Sequence, residues 1–396
     1  MSERDPVVIT SIARTPLGGF QGDLRDIPAT RLGSIAIGAA VQRAGLGRGD
    51  VDEVMMGCVL PAGLGQSPAR QAALGAGLEL STRCATVNKV CGSGMRTAML
   101  AHDTILAGSA DIAIAGGMES MTNAPYLLEK ARGGYRMGHQ KVIDHMFLDG
   151  LEDAYDKGRL MGTFAEDTAE AYQFTREAQD DFTIESVKRA QRAAAAGHFD
   201  SEIVPVEVAE KKATREVRED EQPRKARLEK IPELRPAFRE GGTVTAANSS
   251  SISDGAAALT LMRLSQAERR GLAPLAAIRG HASHSQEPNW FTTAPIGAIR
   301  KLMERTGWTT GAVDLFEINE AFAVVAMAAM RDLDLPHDKV NVHGGACALG
   351  HPIGASGARI MVTLLAALQT HGLKRGVAAI CIGGGEATAI ALERFD

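Results

Sequence analysis

The chain has 396 residues, of which 45% are hydrophobic and 23% charged, and its formal net charge is −5 at pH 7. This length fits two or three domains or one large duplicated core, and the charge lacks the basic excess that nucleic-acid binding needs. Five cysteines without regular spacing argue against a disulfide framework or a structural zinc site and fit a reducing cytoplasm. Without a secretory signal pattern or a run approaching the length of a membrane span, we expect a cytoplasmic protein with no membrane contact.

Strands and helices alternate in the first third of the chain. Short apolar runs predict strands at 7–16, 51–60, 84–90 and 111–117. Apolar residues at helical spacing predict helices at 31–45, 67–78 and 93–110. This alternation predicts an α/β core with a mixed sheet.

The middle of the chain, 121–252, differs from the segments around it. It contains glycine-rich loops and a charge-dense stretch at 206–238, in which acids and bases nearly balance. Such a balance favours a solvated excursion from the core. The basic cluster at 224–227 could instead meet a phosphate group of a ligand.

The core pattern then returns. Predicted elements are a strand and helix at 254–271, a strand at 272–282, a helix at 295–307, a strand, loop and helix at 313–333, a glycine-rich turn and long helix at 350–372, and a hairpin at 376–395. The segments 111–120 and 378–390 share the order strand, glycine cluster, glutamate. This suggests a duplicated α/β unit on either side of the middle segment, although common strand chemistry could also produce the similarity.

Cys91 lies where a predicted strand ends and a predicted helix begins. A free cysteine is usually buried and inert. A helix amino terminus, however, offers unpaired N–H groups and a partial positive charge, which stabilise a thiolate and lower its pKa. Gly92 and Gly94 leave room for a substrate carbonyl. The pattern resembles a nucleophile elbow with sulfur in place of oxygen.

Three further residues could cooperate with such a thiol. His351 lies in the glycine-rich segment 344–359 and could take the thiol proton, or it could be a satisfied core histidine. Cys381 ends a strand before three glycines and could act as acid and base, with Gly383 or a neighbour donating a backbone N–H to an oxyanion, or it could be a strand cysteine before a turn. Asn319 could be a helix N-cap or could orient a water or a catalytic partner.

Seven motifs occur along the chain in a fixed order. They are VNKVCGSGM, IAGGMESMTNAPYLL, MGTFAE, GTVTAANSSSISDGAAAL, NEAFA, GGACALGHPIGASGAR and CIGGGEA. Over nearly its whole length the chain resembles the thiolases. The resemblance implies an α/β thiolase fold, with two duplicated mixed-sheet halves in a five-layer αβαβα arrangement and an inserted loop domain. It places the amino-terminal half at 1–120 with 253–272, the loop domain at 121–252 and the carboxy-terminal half at 273–396.

The resemblance also implies a role for each reactive residue. Cys91 attacks an acyl-CoA thioester and holds the acyl group, and His351 activates it. Cys381 removes a proton from the second acetyl-CoA. A water held by Asn319 forms one oxyanion hole with His351, and the N–H groups of Cys91 and Gly383 form the other.

Coenzyme A is expected under the loop domain. The residues that the resemblance places along its groove are Arg224, Phe238, Ala246, Ser250 and Phe322. The chain departs from short-chain members by having Leu160 before Met161, where many have histidine, and Trp290 where many have methionine. Both departures lie near the expected acyl site, so they leave the preferred chain length open.

The resemblance implies an acetyl-CoA C-acetyltransferase that condenses two acetyl-CoA reversibly to acetoacetyl-CoA and CoA. The first alternative is a degradative 3-ketoacyl-CoA thiolase acting on longer chains. A decarboxylating ketoacyl synthase or a cysteine hydrolase would not need Cys381, and a thiolase-like lipid carrier or scaffold would not need the reactive residues. The substrates are CoA thioesters, with no cofactor, metal or nucleic acid. A homotetramer in fatty-acid metabolism is expected.

Overall fold

The computed structural model describes residues 5–210 and 213–395. Residues 1–4 and 396, at the outer ends of the two predicted halves, and 211–212, in the predicted loop domain, lie outside the described residues. The boundaries assigned to the three domains stay a prediction.

The described strands and helices follow the α/β alternation expected for the core. The strands are β1 (Val7–Arg14), β2 (Gly18–Gly19), β3 (Glu53–Gly57), β4 (Arg83–Val87), β5 (Ile112–Ser120), β6 (Tyr126–Leu127), β7 (Ile143–Asp144), β8 (Val206–Glu210), β9 (Ala213–Val217), β10 (Ser253–Arg263), β11 (Ala276–Ser285), β12 (Leu315–Ile318), β13 (Arg375–Ile382) and β14 (Glu386–Arg394). The helices are α1 (Ala29–Arg43), α2 (Pro68–Gly75), α3 (Ser93–Leu106), α4 (Met161–Tyr172), α5 (Arg176–Ala195), α6 (Glu221–Lys225), α7 (Leu264–Arg269), α8 (Ala294–Thr306), α9 (Ala323–Leu333), α10 (Ala346–Leu349) and α11 (Ile353–Thr370).

The main sheet contains two copies of one strand arrangement, which are hydrogen-bonded to each other through β1 and β11. Its strands run in the order β12, β13, β14, β11, β1, β10, β5, β3, β4. In the first copy β3 and β5 are parallel, and β5, β10 and β1 pair antiparallel. In the second, β12 and β13 are parallel, and β13, β14 and β11 pair antiparallel. In the second copy, a parallel bridge between Phe316 and Val340 lies beside β12, in the position equivalent to that of β4 beside β3. The predicted duplication is therefore confirmed.

The shared glycine–glutamate pattern that suggested the duplication does not mark equivalent glutamates. Glu119 lies inside β5 and is fully buried, whereas Glu386 follows a glycine turn and begins the next strand, β14. The strands β5 and β13 are equivalent, but the chain leaves them differently. Common strand chemistry accounts for that part of the similarity.

Helices separate and cover the two copies. One apolar cluster joins α3 and α11 to β5 and β13, so these two helices lie between the copies. A second cluster packs α1 and α2 on the outer face of the first copy, and a third packs α8 and α9 on the outer face of the second. The order of layers is αβαβα, as the thiolase resemblance implies.

Small residues let the two central helices approach closely. A side chain on Gly94 of α3 would come within 2.7 Å of the backbone nitrogen of Ala358 in α11, and one on Gly357 would overlap the backbone of Met95. By length and composition α11 could cross a membrane, contrary to the expectation that no segment approaches that length, but 89% of it is buried inside the protein. It is one of the two central helices of the fold.

The middle segment is more ordered than its charge suggests. It contributes α4 and α5, and it is tied to the core by Arg14, which is fully buried. The Arg14 guanidinium bonds Glu202 at 2.6 Å and Asp220 at 2.7 Å. The interpretation of 206–238 as simply solvated is therefore wrong at Asp220, which is buried because it pairs with a buried arginine.

Candidate active site

Cys91 occupies the junction of β4 and α3. The strand ends at Val87 and the helix begins at Ser93, with Gly92 as its N-cap residue. The predicted position is therefore confirmed. A side chain on Gly92 would overlap Ile382 next to the second cysteine, so glycine is required there for β13 to approach.

The residue before the cysteine is held in a rare backbone conformation. Val90 has φ of +46°, which is strongly disfavoured for a β-branched residue. Its N–H donates to Asn88 Oδ1 at 2.9 Å, and its carbonyl accepts from Ser93 Oγ at 2.6 Å. Local strain of this kind is held in place by surrounding contacts and is common where a side chain must be aimed.

The environment of the Cys91 sulfur differs from the sequence expectation. The backbone N–H groups of Gly383 and of Cys91 itself lower its pKa, but burial outweighs them and raises the pKa to about 11. The prediction of a lowered pKa is wrong, because the local sequence shows the helix terminus but not the protein packed around it. At neutral pH Cys91 is a thiol and needs a base.

His351 lies in the loop between α10 and α11 and is buried. Ser356 Oγ donates to the Pro352 carbonyl at 2.9 Å, so it accepts from His351 Nδ1–H, 2.5 Å away. Nε2 then carries the lone pair, and it is buried with no hydrogen-bond partner among the described residues. Burial lowers the pKa of His351 to about 3, so the ring is neutral. A neutral imidazole with a free Nε2 is the form that can accept a proton.

Cys381 lies near the end of β13 and is 1% exposed. Burial is the main cause that raises its pKa, and negative charge on Cys91 would raise it further. The segments that carry the two cysteines are in contact, since a side chain on Gly92 would overlap Ile382. Gly383 follows in the turn between β13 and β14 and turns its N–H toward Cys91. The end of β13 and the turn that follows thus bring the Cys381 thiol and the Gly383 N–H to the segment that carries Cys91.

Asn319 follows β12, and its backbone N–H donates to the Ala379 carbonyl at 3.0 Å. Helix α9 begins at Ala323 with Phe322 as its N-cap residue, so Asn319 is not the N-cap and that alternative is wrong. Its Oδ1 and Nδ2 are both buried without a partner among the described residues. Leaving a buried amide unpaired is costly, so this side chain is suited to hold a water or a ligand atom.

Several of the predicted groove residues lie together. The rings of Phe238 and Phe322 meet edge to face with centroids 6.0 Å apart. Ser250 N–H donates to the Ala321 carbonyl beside Phe322. Ala246 lines a cavity of basic character with Lys225, Arg227 and Lys230.

Arg224 is placed apart from that cavity. Its guanidinium bonds Asp23 at 2.6 Å, and it lines a separate pocket beside Phe199 and Asp220. The structure brings Arg227, three residues further along the chain, to the cavity that holds Ala246. Arg224 lies within α6, whereas Arg227 follows the end of that helix, so the two side chains reach different pockets.

The departures from the short-chain pattern lie on two segments that approach the glycine turn after Cys381. A side chain on Gly383 would come within 3.5 Å of Met161 Sδ, and Leu160 precedes Met161 as the N-cap residue of α4. The Gln286 N–H donates to the Gly385 carbonyl at 2.8 Å, and Trp290 follows at a kink within Pro288–Thr293.

Comparison with known proteins assigns this architecture to a family. The thiolase N-terminal domain model matches residues 7–265, and the thiolase C-terminal domain model matches residues 272–394. The chain belongs to the thiolase family. It is 52% identical over 98% of its length to acetyl-CoA acetyltransferase 2 of Arabidopsis thaliana, covering 96% of that protein. It is 50% identical over 99% of its length to a probable acetyl-CoA acetyltransferase of Dictyostelium discoideum, covering 94% of it.

A solved structure agrees with this assignment. The crystal structure of the Acat5 thiolase from Ascaris suum in complex with coenzyme A superposes with a TM-score of 0.93 at 41% identity. The match covers 98% of this chain and all of that one. The thiolase fold expected from the sequence is therefore confirmed.

Two buried glutamates, Glu119 and Glu320, hold the loops around these residues, and neither is among the predicted site residues. Glu119 accepts the N–H groups of Val59, Leu60 and Gly354 at 2.8–3.1 Å, which ties β5 to the start of α11. Burial raises its pKa to about 7. The sequence signal that could have identified Glu119 is an ionisable residue inside an apolar strand, because such residues are rarely buried unless their oxygens accept hydrogen bonds.

Glu320 does the same in the second half. It accepts from Ser186 Oγ and Asn341 Nδ2, each at 2.8 Å, and from the Cys347 N–H at 3.1 Å. These bonds fix the loop that carries Asn319 to the loop that leads to His351. Glu320 belongs to the NEAF motif, but a sequence does not show which distant donors its carboxylate meets.

Proposed function

We propose that this thiolase is an acetyl-CoA C-acetyltransferase that catalyses the reversible Claisen condensation of two acetyl-CoA to acetoacetyl-CoA and CoA through a cysteine acyl-enzyme. Two relatives that are half identical to it over nearly their full lengths carry that activity in their names. The observation that carries the proposal is the close approach of the two segments that hold Cys91 and Cys381, where Gly92 packs against Ile382, with the Gly383 N–H directed at Cys91. Hydrolysis would need one thiol, whereas carbon–carbon bond formation needs a nucleophile and a separate base.

In the first half-reaction Cys91 attacks the thioester carbonyl of acetyl-CoA. Its proton passes to His351 Nε2, which is unpaired in the free protein. The oxyanion is stabilised by the N–H groups of Cys91 and Gly383. The carbon–sulfur bond to CoA breaks, the leaving thiolate takes the proton from His351, and the acetyl group remains on Cys91.

In the second half-reaction the buried Cys381 thiol first passes its proton to His351 Nε2, and the resulting thiolate removes a proton from the methyl group of a second acetyl-CoA. The enolate oxygen is stabilised by the protonated His351 and by a water on the unpaired amide of Asn319. The enolate carbon attacks the acetyl group, the bond to Cys91 breaks, and the Cys91 thiolate takes the proton held by His351. Two nearby thiolates repel each other, so the sulfurs take charge in turn.

The substrates we propose are acyl-CoA thioesters, and the reaction needs no other cofactor. The Ascaris suum protein was solved with coenzyme A. In this chain the cavity lined by Ala246, Lys225, Arg227 and Lys230 supplies cations near an apolar wall, which suits a ligand with phosphates and a pantetheine arm.

A Cys381→Ala variant separates the two half-reactions. It should still form the acetyl-enzyme, seen by intact mass spectrometry with acetyl-CoA, while condensation falls roughly 10²–10⁴-fold because the base is missing. Normal condensation in this variant would contradict the two-thiol mechanism. Cys84→Ser, which changes a cysteine of β4 outside the thiol pair, is the matched control.

The alternative is a 3-ketoacyl-CoA thiolase for longer chains, which Leu160 and Trp290 leave open because both belong to segments that approach the glycine turn. Steady-state thiolysis with 3-ketoacyl-CoA of increasing length distinguishes them. A kcat/KM that falls steeply beyond acetoacetyl-CoA supports the acetyltransferase, and a flat or rising profile supports the alternative.

We also propose a cytoplasmic homotetramer acting in fatty-acid metabolism. Support for assembly comes from β4, an edge strand of the main sheet with Arg83, Ala85 and Thr86 exposed. An uncovered edge strand offers backbone groups to a second copy. Sedimentation equilibrium of the purified chain measures the assembly, and a monomer mass would contradict it.

A further inference from the structure

Three histidines from separate parts of the chain converge on one surface cavity, away from the two thiols. His198 lies in the turn after α5, His343 lies in the loop before α10, and His371 is the C-cap residue of α11. The first two are 145 residues apart and the last two are 28 apart. The cluster therefore cannot be recognised from a local sequence motif.

The ring nitrogens meet at the spacing of metal ligands. His198 Nδ1 lies 3.2 Å from His343 Nε2, which lies 3.1 Å from His371 Nε2, and all three atoms fall within 4.8 Å of one another. An ion with metal–nitrogen bonds of about 2.0–2.1 Å in tetrahedral geometry separates its ligand nitrogens by about 3.3 Å. Two of the three distances already match, and His371 is exposed, so its ring has room to adjust.

The three rings do not satisfy one another by hydrogen bonding alone. His343 Nε2 faces one nitrogen of each neighbouring ring but has a single lone pair, and its Nδ1 is buried without a partner among the described residues. A metal ion that takes one lone pair from each ring would occupy the point on which these nitrogens converge.

The surroundings admit a cation. Arg189 and Arg192 line the same cavity, but both pair with Glu185, at 3.1 and 2.8 Å. Asp338 adds a carboxylate to the lining. Because the cavity opens to solvent at His371, water can complete the coordination shell.

We propose that His198, His343 and His371 bind a divalent transition-metal ion, with Zn²⁺ as the first expectation. Three imidazoles with an open position suit zinc, and the same donor set also suits copper and nickel. The ion would join the turn after α5 to the end of α11 and to the loop that leads to His351. Its role is structural, and it does not depend on the function proposed above.

The test is zinc binding by the full-length chain after chelator treatment. Equilibrium dialysis against ZnCl₂, with metal measured by mass spectrometry, should give one zinc per chain and a raised melting temperature. His371→Ala, at an exposed position that folding tolerates, should lose both effects. His139→Ala, another exposed histidine, should keep both.

Zinc could also bind the thiols, so the titration is repeated with Cys91→Ser. Retained binding in Cys91→Ser together with lost binding in His371→Ala supports the histidine site. Absence of binding, equal binding by His371→Ala, or loss in Cys91→Ser would each overturn it. With Co²⁺ as probe, a spectrum without thiolate charge-transfer bands is expected.

Discussion

The two halves of this thiolase place a reactive side chain at the same point of the same strand–helix unit. In the first half, β4 leads to Cys91 and the central helix α3. In the second, the strand-like bridge at Val340 leads to His351 and the central helix α11. Duplication explains why the two helix starts lie side by side, and residue type decides what each does there.

Burial acts in opposite directions on the two groups. It raises the pKa of Cys91 to about 11 and lowers that of His351 to about 3, because it penalises the charged form of each. Both groups are therefore neutral at rest, one as a thiol and the other as an imidazole. In the mechanism proposed above, the proton moves from Cys91 to His351 only when substrate brings a carbonyl to the sulfur and the developing charge meets the N–H of Gly383.

The largest expected effect separates Cys91 from the other cysteines. Cys91→Ser should reduce thiolysis of acetoacetyl-CoA on the order of 10⁴-fold or more, because the hydroxyl is a far weaker nucleophile. Cys84→Ser, in the adjoining strand β4, should leave kcat near its original value. Full activity in Cys91→Ser would show that Cys91 is not the nucleophile.

The next effect tests the partner from the second half. His351→Ala should lower kcat roughly 10²–10⁴-fold, since the thiol loses its base. Below a pKa of about 11 Cys91 is protonated, so its alkylation by iodoacetamide should be slow near neutrality in this variant and rise steadily as pH approaches 11. An alkylation rate independent of pH between 7 and 10 would show that Cys91 is already a thiolate.

The sequence predicted the position of these groups better than their state. Cys91, His351 and Cys381 could be found because each stands beside glycines at the end of an apolar run. The pKa of Cys91 and the unpaired amide of Asn319 could not, because burial and missing partners depend on segments that are distant in the chain. Glu119 shows the same limit, since its three N–H donors come from the loop after β3 and from the start of α11.

A smaller effect compares glycines of the two equivalent strands. A side chain on Gly117 of β5 would overlap the Gly354 carbonyl at the start of α11, which is backbone and cannot rotate away. One on Gly376 of β13 would meet only the end of the Leu364 side chain at 2.9 Å. Gly117→Ala should cost about 1–3 kcal/mol of unfolding free energy and lower kcat by displacing His351. Chemical denaturation should show Gly376→Ala to be milder, and the reverse order would contradict this packing.

The smallest effect compares the outer helices α1 and α8, each of which has an interior glycine. A side chain on Gly38 has no neighbour nearer than Ala76 at 3.9 Å, whereas one on Gly297 would meet the His284 ring at 2.5 Å. Gly38→Ala should therefore stabilise the protein by about 0.5–1 kcal/mol, because alanine loses less backbone entropy in a helix. Gly297→Ala gains the same entropy but must displace a ring, so its net effect should be destabilising. Urea unfolding of both variants measures the difference, and equal shifts would mean that the outer layers of the two halves are packed alike.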